Sequence, residues 1–85
     1  MSEPDLGGMG IQQLFLNSMG LVRLPACIGE LADLLLLNLS DNSIGEIGDE
    51  FVWPAYLHVL VMAGNQLSAI PRGLKDLQYL KQLLL

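Results

Sequence analysis

Residues 57–67 read Leu-His-Val-Leu-Val-Met-Ala-Gly-Asn-Gln-Leu. Large apolar side chains stand at Leu57, Leu60, Met62 and Leu67, and Leu60 and Met62 alternate as the inward positions of a strand do. Residues 34–44 repeat the pattern as Leu-Leu-Leu-Leu-Asn-Leu-Ser-Asp-Asn-Ser-Ile. Extending the frame outward gives units that begin at Ile11, Leu34, Leu57 and Leu80, each 23 residues after the last, with no insertion. A fixed internal period of this length marks a repeat architecture, in which one unit is one supersecondary element.

The frame aligns apolar residues in columns. Ile11, Leu34, Leu57 and Leu80 form the first, and Leu14, Leu37, Leu60 and Leu83 the fourth. Leu16, Leu39, Met62 and Leu85 follow, then Leu21, Ile44 and Leu67, then Leu24, Ile47 and Ile70, then Ile28, Phe51 and Leu74. Alternation by two (14 and 16, 37 and 39, 60 and 62) gives way to a spacing of three (28 and 31, 74 and 77). A strand followed by a helical turn of period about 3.6 is therefore expected in each unit.

On these residues the chain resembles the leucine-rich repeat family. The pattern L-x-x-L-x-L-x-x-N-x-L is met at Leu57–Leu67, with Met62 in place of a Leu, and at Leu34–Ile44. The variable half, Leu24-Pro25-x-x-Ile28-x-x-Leu31 and Ile70-Pro71-x-x-Leu74-x-x-Leu77, resembles the 23-residue subclass of intracellular Ras-pathway scaffolds and their plant relatives. The resemblance covers Ile11 to Leu85. It implies an α/β solenoid, with short parallel strands on a concave side and short helices or 3-10 turns on a convex side. Residues 1–10 are then a lead-in. Units 11–33, 34–56 and 57–79 are whole repeats, and 80–85 is a partial fourth.

The physics points the same way. No unit is large enough to bury its own leucines, so units must stack. At the ninth position, Asn42 and Asn65 follow the strand where the chain turns and leaves backbone groups unpaired. A side-chain amide both donates and accepts, so these structural asparagines are expected to satisfy neighbouring units. Met19 holds that position in the first unit and marks it as an end repeat. In the second unit Gly48 replaces the proline and Pro54 replaces Leu31 and Leu77. Proline removes a helical donor, so an irregular segment is expected there, with Trp53 either covering the gap or serving as a contact point.

Composition excludes other classes. Hydrophobic residues make up 52% of the 85-residue chain and charged residues 15%, which is not the composition of a disordered tail. Net charge is −5, and the four cations Arg23, Arg72, Lys75 and Lys81 are too few and too scattered to hold nucleic acid. The longest unbroken apolar run, Leu34 to Leu37, is far short of the roughly 20 residues of a membrane span. Cys27 is the lone cysteine, so no internal disulfide is expected. Glu3 and Asp5 stand where a secretory leader would carry cations, and a cytoplasmic location is expected.

No catalytic constellation emerges. His58 lies at position two of its unit, aligned with Gln12, Leu35 and Lys81, and reads as a partly exposed filler. Ser40 and Asp41 fall at the far end of the neighbouring strand, which does not support a hydrolase triad. Cys27 has no His or Lys beside it and reads as an ordinary thiol. Gly7, Gly8 and Gly10 neither follow a strand nor lead to a lysine, so no phosphate loop is implied. No enzyme activity, cofactor or metal is expected.

The remaining resource is the strand face turned away from the leucines. Its columns are Gln13, Leu36, Val59 and Gln82; Phe15, Asn38, Val61 and Leu84; and Asn17, Ser40 and Ala63. Apolar groups in so open a place, edged by small polar ones, fit a protein interface. The expected function is protein binding in intracellular signalling, as a scaffold or signal-transduction module. The alternative is the recognition segment of a larger leucine-rich-repeat kinase, cyclase or ubiquitin ligase. Glu30, Asp33, Glu46, Asp49 and Glu50 are expected on the convex side as a solvated face. Because the unit begun at Leu80 stops in its strand, further repeats are expected beyond Leu85, or self-association through that end.

Overall fold

A computed structural model describes residues 10–48 and 50–85. The lead-in before Gly10, and Asp49 on the acidic side, lie outside the described residues. Four strands, β1 (Gln13–Phe15), β2 (Leu36–Asn38), β3 (Val59–Val61) and β4 (Gln82–Leu84), pair in parallel in chain order as one sheet. Among the described residues the helical segments are 3-10 turns, in the first and third connections, and the arrangement is of the α/β kind.

Register follows the sequence frame. Leu14 stands opposite Leu37, Leu37 opposite Leu60, and Leu60 opposite Leu83, so each strand pairs with the one 23 residues on. The leucine columns thereby become the core. Leu34, Leu37, Leu39, Ile44, Leu57 and Leu60 are all fully buried. Burial depends on being flanked by units on both sides: Leu37 and Leu60 are 0% exposed, whereas Leu83 in the same column is 37% exposed.

The helical turns differ from the expected period. Ala26–Glu30 and Arg72–Asp76 are both 3-10 turns, each entered from a proline, Pro25 or Pro71. Leu31 N–H donates to Ile28 C=O, and Leu77 N–H to Leu74 C=O, both at 3.1 Å. These are i to i+3 bonds, whose period of three matches the spacing of Ile28 from Leu31 and of Leu74 from Leu77. A 3-10 turn keeps both side chains of each pair on one inward line. The 3.6 period expected from the sequence is thus corrected to 3.

The middle unit has no helical turn among its described residues. Pro54 is fully buried where the flanking units place Leu31 and Leu77, and its carbonyl accepts from Leu57 N–H. Trp53 lies over the gap, only 8% exposed. It meets Phe51 edge-on, with ring centroids 4.8 Å apart at 77°. On its other side is Gly73, where a Cβ would come within 3.0 Å of the indole Cδ1. Trp53 therefore fills the space left by the missing turn.

The asparagines tie unit to unit. Asn42 is 6% exposed. Its Oδ1 accepts from the backbone N–H of Met19 and of Leu21, both at 3.0 Å. Its Nδ2 donates to the carbonyls of Leu16, Leu39 and Ser40 at 3.0, 2.9 and 3.3 Å. One unit further on, Asn65 accepts from Ile44 N–H at 3.0 Å and donates to Leu39 and Met62 carbonyls at 2.9 and 2.8 Å. Met19 cannot bond this way, and its side chain is 61% exposed.

Two predictions follow from this packing. Asn65→Ala should lower unfolding stability by about 1–3 kcal/mol, and Asn42→Ala by more, because it strands more backbone groups. Urea midpoints measure both; a loss no larger than that of the exposed Asn17→Ala would contradict the amide bridges. Gly29→Ala should cost about 1–3 kcal/mol, since its Cβ would collide with the Val52 carbonyl. Gly45→Ala, whose Cβ would meet nothing nearer than 3.9 Å, should leave the midpoint in place. Equal effects of the two alanines would contradict the tight seam between the first two units.

Candidate interaction surface

Because strand side chains alternate, every residue flanking a core leucine points to the opposite face of the sheet. The register assembles them in rows. Gln13, Leu36, Val59 and Gln82 form one, and Phe15, Asn38, Val61 and Leu84 the next. Beyond the strand ends, Ser18 N–H donates to Ser40 C=O and Asp41 N–H to Ala63 C=O, which carries the alignment on to Asn17, Ser40 and Ala63.

Exposure across these rows is uneven. Phe15 and Leu84, on the outer strands, are 53% and 54% exposed, and Gln13, Asn17 and Gln82 are exposed as well. Leu36, Asn38, Ser40, Val59, Val61 and Ala63 are half-buried, because adjacent strands shield their flanks. The polar members are tied together: Ser40 donates to Asn38 Oδ1 from its backbone N–H at 3.0 Å and from its hydroxyl at 2.8 Å. None of the eleven positions carries a formal charge. The face is thus uncharged and mostly apolar, with the Asn38 amide seated between Phe15 and Val61, and it is held on backbone hydrogen bonds. It has the chemistry to bury another apolar surface.

His58 lies before β3, while Ser40 and Asp41 lie past the end of β2, so the three stand at opposite ends of a strand pair. His58 is half-buried, with Nδ1 against the Tyr56 carbonyl. Cys27 is exposed on the first 3-10 turn. Among the described residues no group of three or more His, Cys, Asp or Glu could hold a metal ion. No helix among them is long and apolar enough to cross a membrane.

Glu30, Glu46 and Glu50 are exposed in the variable halves, but Asp33 sits in the turn just ahead of β2. A cleft of about 870 Å³ separates the variable halves of the first two units, with Arg23, Glu46 and Val52 among its walls.

One feature of the surface escaped the sequence reading. Tyr56 and Tyr79 lie against each other, with ring centroids 5.4 Å apart and planes tilted by 34°. The His58 ring runs nearly parallel to that of Tyr79, at 12° and 6.2 Å. The signal was present, since Tyr56 and Tyr79 are 23 residues apart and share the last position of the frame. That column holds Asp33 in the first unit and so carries no apolar pattern. Compared with known proteins, the chain matches no family model and no curated protein.

Proposed function

We propose that this chain is a short leucine-rich repeat solenoid that binds a protein partner on the concave wall formed by its strands. Supporting the repeat reading are the 23-residue register of all four strands and the side-chain amides of Asn42 and Asn65, which bridge successive units. The observation that carries the binding reading is the exposure of Phe15 and Leu84 on a sheet face with no charge. Large apolar anchors bordered by neutral polar groups form the kind of centre around which interfaces are built. The chemistry is recognition alone, with no bond made or broken, as in an intracellular signalling scaffold. The single exposed thiol of Cys27 suits a reducing compartment, and the cytoplasm is the location proposed.

The test uses peptides selected from a random display library on the immobilised chain. Phe15→Asp and Val61→Asp should each weaken the selected peptides by about tenfold or more, with the circular dichroism unchanged. Val52→Asp, which places the same charge at a 66% exposed valine of the variable half, should leave binding intact. Peptides that bind Phe15→Asp and Val61→Asp as tightly as the parent chain would sink the reading.

A further inference from the structure

Both tyrosines of the chain stand at one recurring corner. The turns at 32–33, 55–56 and 78–79 lead into β2, β3 and β4, and their second residues are Asp33, Tyr56 and Tyr79. Units repeat at the spacing of paired strands, roughly 4.8 Å, and the 5.4 Å between the tyrosine rings follows that step. Asp33 therefore occupies the corner one step before Tyr56. The three form a rail along the leading edge of the sheet, outside the rows of the strand face. The rings are open to solvent, Tyr56 being 54% and Tyr79 48% exposed, and Asp33 at the equivalent turn of the preceding unit is exposed as well.

The chemistry of the rail selects the sign of its ligand. An aromatic face carries negative electrostatic potential and attracts a cation. A neighbouring carboxylate adds to that attraction and repels anions. The wider field agrees. Among the described residues, 10–56 hold one cation, Arg23, against five carboxylates, whereas 57–85 hold Arg72, Lys75 and Lys81 against Asp76. Lys81 stands just past Tyr79, so the favourable potential lies at the Asp33–Tyr56 end.

We propose that Asp33 and Tyr56, extended by Tyr79, form a binding site for an arginine side chain of a basic peptide segment, with the guanidinium over the Tyr56 ring and paired with the Asp33 carboxylate. Arginine is preferred to lysine because its planar, weakly hydrated group can stack on the ring and keep its edge for the carboxylate. The site does not depend on the strand face, so it stands or falls separately from partner binding there.

The probe is the blocked tripeptide acetyl-Ala-Arg-Ala-amide, titrated into the whole chain while the tyrosine ring protons are followed by NMR. Its citrulline counterpart, with the same shape and no charge, is the reference. The arginine peptide should shift the Tyr56 and Tyr79 resonances saturably, and the citrulline peptide should not. Asp33→Asn and Tyr56→Ala should each weaken binding about two- to fivefold. Lys81→Gln should tighten it. Glu46→Gln makes the same change in net charge as Asp33→Asn, but in the cleft between the variable halves, and should leave affinity unchanged. Equal shifts from the two peptides, absence of any saturable shift, or equal weakening by Glu46→Gln and Asp33→Asn would overturn the assignment.

Discussion

The hydrogen bonds from the Asn42 side chain hold this architecture in register. Each strand has three residues, so the sheet ladder alone supplies few bonds per unit. Past the strand the chain turns away and its backbone groups lose strand partners. Asn42 meets five of those groups, and Asn65 meets two more and shares the Leu39 carbonyl with Asn42. Buried donors and acceptors left unmet would each cost about 1–3 kcal/mol, a large fraction of what so small a core can offset. With the turns fixed, Leu34, Leu37 and Leu39 can pack against Leu57, Leu60 and Met62. The strip of side chains on the other face then follows from alternation.

Much of this was legible because a 23-residue period leaves each residue type only one place to go. The columns of Leu14 and Leu37 gave the strand register, and the ninth position identified Asn42 and Asn65 as bridges. The variable half was harder to read. Spacings of three at Ile28 and Leu31 are common to the near side of an α-helix and to a 3-10 turn, so the sequence could not separate them. The role of Trp53 depends on Gly73 in the following unit, a contact between residues that share no column. The tyrosine rail was hidden for the opposite reason. It is a column, but one that mixes Asp33 with two aromatics, and patterns are sought among apolar residues.

The two surfaces differ in what they would recognise. The strand face carries no charge, and its inner polar groups, Asn38 and Ser40, occupy one another. As the proposed contact surface it would hold a partner through apolar contact, with little electrostatic selection. The proposed corner site, by contrast, would select a cation. The strand face lies over β1–β4, and the corner lies at the turns that lead into β2, β3 and β4. A ligand spanning them would present apolar groups to the sheet and a basic group to the corner.

Amide hydrogen exchange on the intact chain tests the central claim most directly. Leu21 and Ile44 lie in irregular segments outside every strand, and their backbone N–H groups bond to the side-chain oxygens of Asn42 and Asn65. If these side chains bridge successive units, both amides exchange as slowly as those of Leu39 and Met62, which bond to neighbouring-unit carbonyls at 2.7 and 2.6 Å. Exchange of Leu21 and Ile44 at the rate of open turns, with Leu39 and Met62 still protected, would contradict it.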